Sequence, residues 1–223
     1  MKIKGAIFDM DGTIVDSLSF WDCLWRSIGE KYMGNPDFKP DDEVNKKVRT
    51  MIYVDAMTYF KEYYQLAVST EEFVEFASDG VIDFYENTAT VKEGAVALLG
   101  YLKENGIKLC LASATAMPWV MHTLKYHGLL QYFDFVLSCA DIGVGKEHPD
   151  IYIKASELLC LPAGEICVFE DSYVAMETAK AAGFRTAGVY DKYAPGQERL
   201  VAASDVYLNP GKSLADLIDS IEI

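Results

Sequence analysis

From residue 91 onward the chain alternates short apolar runs with amphipathic segments, and this alternation limits the architectures open to it. Strands are expected at residues 108–112, 133–137, 166–169, 185–189 and 206–208. Helices are expected between them at 94–105, 118–127, 149–159 and 172–182. A last helix is capped by Ser213 and runs to residue 221. Gly106, Gly128 and Gly183 follow three of these helices at the position where a left-handed residue closes a helix. Pro149 stands at a first helical turn, which tolerates its missing N–H. An earlier apolar run at residues 4–8 supplies one more buried strand. Strands alternating with helices form a parallel sheet covered on both faces, so the fold class is α/β with a doubly wound sheet.

Residues 16–89 break the pattern. Apolar residues recur at helical spacing over 18–32 and over 42–66, the latter with Val44, Val48, Met51, Ile52 and Ala56 on one side. Ser69-Thr70-Glu71-Glu72 reads as a capping box opening a third helix through residue 85. Gly34-Asn35-Pro36 interrupts the segment, and no strand is expected in it. The chain therefore divides into an α/β domain made of residues 1–15 and 90–223 and a small all-helical insert at 16–89.

With 223 residues, 51% of them hydrophobic, the chain has enough apolar surface for a substantial core. Its formal net charge of −14 argues against nucleic acid and anionic membranes as partners. An anionic substrate would have to be held by local positive groups. The five cysteines form no C-x-x-C pair, and Cys110 and Cys167 lie inside apolar runs as buried thiols. A reducing cytoplasm fits this usage. No apolar stretch has the length of a signal-peptide core or a membrane span.

Four polar clusters fall at or just beyond the carboxyl ends of expected strands, where open parallel sheets bind ligands. The first is Asp9-Met10-Asp11-Gly12-Thr13, which ends the run Ala6-Ile7-Phe8. Alternation along a strand sends Asp9 and Asp11 off in similar directions. Two such carboxylates repel unless a cation lies between them or one is protonated. Gly12 allows a tight turn, and Thr13 can hydrogen-bond a carboxylate and hold it. The second cluster is Ser113-Ala114-Thr115, the third Gly143-Val144-Gly145-Lys146, and the fourth Glu170-Asp171-Ser172.

In this order the four clusters resemble the motifs of the haloacid dehalogenase superfamily. Lys146-Glu147-His148-Pro149-Asp150-Ile151-Tyr152 and Ala181-Ala182-Gly183 resemble the branch that contains beta-phosphoglucomutase and phosphoglycolate phosphatase. The helical insert directly after the first motif resembles that branch's mobile cap. The resemblance covers essentially the whole chain.

It implies a Rossmann-like core and Mg²⁺-dependent hydrolysis of a small phosphorylated metabolite. Asp9 would be the nucleophile, forming an aspartyl-phosphate. Asp11 would protonate the leaving oxygen and then activate water, and its backbone carbonyl would bind metal. Lys146 would screen phosphate charge. Ser113 and the Ala114 amide would bind phosphoryl oxygens, and Lys146, Gly12 and Thr13 would also belong to the substrate-binding set. Asp9, Asp171 and Glu170 would supply oxygen ligands to Mg²⁺, with Glu170 either direct or through water. The expected state is a monomer or weak homodimer in the cytoplasm.

Two other functions remain in view. A sugar phosphomutase of this branch carries a histidine early in its cap, whereas Asp16-Ser17-Leu18-Ser19-Phe20-Trp21-Asp22 has none, which favours hydrolysis. Halide release and phosphonate cleavage are both argued against by Asp11. A non-catalytic sensor would have lost a catalytic residue, and none is missing. His148 is expected on a surface loop, and His122 and His127 are expected to face solvent. Phe20, Trp21 and Trp25 are expected in the core of the insert, with the wall of the substrate site as the alternative.

Overall fold

The computed structural model describes residues 2–222. Its main sheet has six parallel strands in the order β5-β4-β1-β6-β7-β8. In chain order these are β1 (Gly5–Phe8), β4 (Lys108–Ser113), β5 (Phe135–Ser138), β6 (Ile166–Glu170), β7 (Arg185–Val189) and β8 (Val206–Leu208). The two remaining strands, β2 (Val15–Asp16) and β3 (Thr90–Val91), pair antiparallel as a separate ribbon. The helices before the ribbon closes are α1 (Ser19–Ile28), α2 (Asp42–Val48), α3 (Tyr53–Tyr63), α4 (Thr70–Ser78) and α5 (Val81–Asn87). Those after it are α6 (Ala95–Glu104), α7 (Met117–Tyr126), α8 (Cys139–Ile142), α9 (Asp150–Leu159), α10 (Tyr173–Ala181) and α11 (Gln197–Ala203), followed by a 3₁₀ turn at Leu214–Ser220.

β1 lies in the middle of the sheet, with Gly5 opposite both Lys108 and Ile166. Its two faces feed two different cores. Ala6 and Phe8 pack with Leu109, Leu111, Cys167 and Phe169 on one side, while Ile7 packs with Cys110, Ala112, Ile166 and Val168 on the other. Burial on both faces is why these strands read as continuous apolar runs. Phe8 and Phe169 stack across the strand pair with ring centroids 4.2 Å apart.

The insert differs from expectation in four ways. The helix expected over 42–66 is two helices, because the Thr50 hydroxyl donates to the Lys47 carbonyl at 3.0 Å and Ile52 turns extended. The helix expected over 69–85 also breaks, at Asp79 and Gly80, where Gly80 takes φ +78°. Ser69 does cap α4, accepting a bond from the Glu72 amide. The first helix ends at Ile28 and continues as a π-turn over Gly29–Met33, where Gly29 lets Phe38 and the Asn35 carbonyl approach closely. Finally, the two-residue strands of the ribbon are too short to give a periodic signal.

Apart from a contact between Phe84 and Phe20 of α1, the apolar face of α5 packs outside the insert. Leu24, Trp25, Ile28, Met57, Phe60 and Phe73 form the core of α1–α4. Val81, Phe84 and Tyr85 instead join the cluster under the main sheet. None of the helices among the described residues is long and apolar enough to cross a membrane.

Candidate active site

The loop after β1 carries Asp9 to Thr13. Asp9 keeps the strand's pairing, its amide donating to the Phe169 carbonyl at 3.0 Å. The chain then folds on itself, with the Met10 carbonyl accepting from the amides of Thr13, Ile14 and Val15. Gly12 sits at φ +81°, and a Cβ there would meet Asp171 at 2.6 Å and Leu18 at 2.8 Å. Conformation and space both require glycine at this position.

Asp9, Glu170 and Asp171 are buried together, each offering a carboxylate oxygen within 4.8 Å of the others. Lys146 reaches them from the loop after α8 and is buried too. Its ammonium bonds Asp9 Oδ1 and, at 2.7 Å, Glu170 Oε2. The other Glu170 oxygen accepts the amides of Asp171 and Ser172 at 3.2 and 3.1 Å. Both oxygens of Glu170 are thus engaged by protein, whereas Asp171 receives a side-chain bond from Thr13 at 3.1 Å.

One ammonium does not balance three buried carboxylates. Burial, then the neighbouring Glu170, pushes Asp9 up to about 8 against the pull of Lys146. Burial, with Glu170 and Asp9 beside it, holds Asp171 well above the ordinary carboxylate range. Burial pulls Lys146 down, but Asp9 and Glu170 outweigh it and leave its pKa well above the usual value. This all-oxygen set with an excess of negative charge suits a hard divalent cation. Lys92 and Asp191 form a second ion pair nearby, at 2.8 Å. Asp191 adds to the upward push on Asp171, and Lys92 opposes it.

Asp11 leaves the same loop but meets a different set of partners. Ser17 Oγ and Tyr85 OH both donate to its Oδ1, and Thr115 Oγ1 donates to its Oδ2, each at 2.7 Å. Burial and the Asp11 charge hold the Tyr85 phenol well above its ordinary pKa, so it remains a donor. Ser113, at the end of β4, is buried and lines the same pocket as Asp9, Asp11, Lys146, Glu170 and Asp171, with Ala114 beside it. Seven of the nine residues given roles from the sequence line this pocket, and Gly12 and Thr13 lie against Asp171 beside it.

The opposite wall comes from the insert. Phe20 and Trp21 line the pocket, whereas Trp25 is 1% exposed and stacks on Phe60 inside the helical core. Arg49 lies over the Trp21 ring at 5.5 Å, and its guanidinium donates to the Tyr193 carbonyl at 3.2 Å. Burial lowers its pKa, against the pull of Asp171 and Asp22. Trp119 of α7 also lines the pocket, packed edge-on against Tyr53. Sequence reasoning missed Tyr85, Arg49 and Trp119, because each reaches the site through tertiary packing and no motif surrounds it.

The histidines divide. His148 is exposed as expected. His122 and His127 do not simply face solvent: they bond Glu86 at 2.7 Å and the Tyr85 carbonyl at 3.0 Å, fastening α7 to α5. The Tyr152 hydroxyl of the lysine motif is buried without a hydrogen-bond partner among the described residues, so the position works as an aromatic packed near Phe184.

The family model of haloacid dehalogenase-like hydrolases matches residues 3–183. The chain belongs to that family. It is 26% identical over 213 residues to the phosphorylated carbohydrates phosphatase of Thermotoga maritima, covering 95% of this chain and 97% of that protein. It is 27% identical over 212 residues to hexitol phosphatase B of Escherichia coli K12, covering 93% and 92%. A solved structure described as a putative beta-phosphoglucomutase from Thermotoga maritima superposes with a TM-score of 0.74 at 23% identity, over 98% of this chain and 99% of that one. The chain is a hydrolase of the phosphatase type within this family, on the fold shared by its phosphatases and phosphomutases.

Proposed function

We propose that this protein is a Mg²⁺-dependent phosphatase that hydrolyses a small sugar or sugar-alcohol phosphate. The observation that carries the reading is the convergence of Asp9, Lys146, Glu170 and Asp171 at the floor of a pocket that Asp11 and Ser113 also line. Mg²⁺ would be held by Asp9, Asp171 and the Asp11 carbonyl, with Glu170, already bonded through both oxygens, acting through water. When bound, the cation supplies charge that keeps Asp9 and Asp171 ionised and screens the phosphoryl oxygens.

A carboxylate oxygen of Asp9 attacks phosphorus while the ester P–O bond breaks. Asp11 gives its proton to the departing alkoxide, so the alcohol leaves neutral. Asp11 then takes a proton from water as that water attacks phosphorus, releasing phosphate and restoring Asp9. Lys146 offsets charge on the nucleophile and phosphoryl group, and Ser113 with the Ala114 amide orients phosphoryl oxygens. Gly12 and Thr13 shape the loop beneath them.

Two relatives named for phosphorylated carbohydrates and hexitols support the substrate class. So do Phe20 and Trp21 in the pocket wall, whose faces suit the C–H surface of a sugar. The helices of the insert would shield this chemistry from bulk water. The enzyme would act in the cytoplasm as a monomer or weak homodimer, without nucleic acid or membrane partners.

The test is phosphate release from p-nitrophenyl phosphate and a panel of hexose and hexitol phosphates, with Mg²⁺ and with chelator. Metal-dependent turnover that disappears in D9N is expected. Faster conversion of beta-glucose 1-phosphate to glucose 6-phosphate than phosphate release would point to a mutase instead. Absence of turnover on every ester would leave a metabolite sensor.

A further inference from the structure

Three hydroxyls from three parts of the chain meet on the Asp11 carboxyl. Ser17 comes from just beyond β2, Tyr85 from α5 and Thr115 from the loop after β4. A carboxylate offers about four lone-pair sites. Ser17 and Tyr85 fill those of Oδ1, and Thr115 takes one on Oδ2. The remaining site on Oδ2 is the place where a transferable proton can reside.

The two distant donors are themselves held. The Tyr85 side chain is buried in the cluster under the sheet, and its carbonyl is bonded by His127. The Glu86–His122 contact fastens the next residue to α7 as well. The Thr115 amide donates to Ser113 Oγ at 3.0 Å, and its carbonyl accepts from Ser138 Oγ at 2.7 Å. Both hydroxyls are thus anchored to the α/β core.

We propose that Tyr85 and Thr115 are positioning residues for the phosphatase reaction, clamping the Asp11 carboxyl so that the open lone pair of Oδ2 faces the ester oxygen. The proposal rests on the acid–base role assigned to Asp11 above. As the Asp9–phosphorus bond forms and the ester P–O bond breaks, the proton on Oδ2 passes to the leaving oxygen. Both residues line the pocket, and each spends its hydroxyl hydrogen on Asp11. In the transfer to Asp9, the step kcat/KM reports, a carboxyl free to rotate would hinder only those esters whose leaving oxygen needs a proton; the later attack by water is common to all esters.

The test compares two ring-bearing esters, benzyl phosphate and p-nitrophenyl phosphate, in the full-length enzyme with Mg²⁺. Benzyl alkoxide is a poor leaving group without protonation, whereas p-nitrophenolate departs unaided. Y85F and T115V should each lower kcat/KM for benzyl phosphate about tenfold and change it less than twofold for p-nitrophenyl phosphate. D11N, the reference, should show the same split at larger amplitude. Equal losses on both esters in the two hydroxyl variants, or no loss on benzyl phosphate, overturn the clamp. A split in Y85F and T115V that is absent from D11N overturns the acid role of Asp11 and the clamp with it. Because T115V leaves α5 intact, the test stands even if Y85F fails to fold.

Discussion

Thr13 Oγ1 donates a 3.1 Å hydrogen bond to Asp171 Oδ1, joining two motifs that lie 158 residues apart. This bond brings no positive charge to Asp171. With Glu170 and Asp9 beside it, the carboxyl is a burden to the metal-free fold. D171N should therefore melt at or above the wild-type temperature in chelator and gain much less on addition of Mg²⁺. Thermal melts with and without metal decide the matter, since equal stabilisation of both proteins by Mg²⁺ would remove Asp171 from the ligand set.

A second expectation concerns pH. Burial raises Asp9 from 3.8 to about 8, and Asp171 shifts in the same direction. Between those values the folded chain retains protons that the unfolded chain has released. This contribution to stability is full below about pH 4 and is lost as pH rises through about 8. The raised pKa of Lys146 acts above that window. Urea midpoints in chelator should fall between pH 5 and pH 8. The fall should shrink in D9N and in saturating Mg²⁺, which favours the ionised carboxylates. A midpoint that ignores both the variant and the metal would contradict this.

Lys146 is the only cation bonded directly to the acidic cluster among the described residues. K146A removes charge from the nucleophile and leaves buried carboxylates unopposed. Its kcat should drop by about 10²-fold or more. Unfolding in chelator should become easier by roughly 3–5 kcal/mol, the range for breaking a buried pair from one side. Mg²⁺ should restore more stability than activity. An unaltered turnover would refute the assigned role.

Tyr152 offers a contrast within the same motif. Its hydroxyl has no hydrogen-bond partner among the described residues, while its ring packs near Phe184. Y152F should keep kcat and KM within about twofold and shift stability by no more than about 1 kcal/mol. A large loss of activity would place the hydroxyl in the catalytic network after all.

The parts of this architecture readable from sequence are those written in local signals. The sheet strands are apolar because both their faces are covered, and Gly106, Gly128 and Gly183 close their helices at positive φ. The polar clusters could be collected because strand ends of a parallel sheet point to one rim. What escaped depends on partners far away in the chain. Asp79 and Gly80 split a helix whose apolar spacing runs on across the break, because α5 packs under the sheet and α4 packs within the insert. The bond from Tyr85 to Asp11 spans 74 residues and follows from that packing. His122 and His127 looked like surface residues for the same reason, since their partners belong to α5.

The central position of β1 between β4 and β6 has a consequence for biogenesis. Asp9 is synthesised first, and Glu170 and Asp171 follow more than 150 residues later. Until then each carboxylate stays hydrated and separate, so the crowding of like charge arises only when β6 docks beside β1. The nascent chain therefore meets this unfavourable step only after the apolar segments between β1 and β6, which can offset it, have been made.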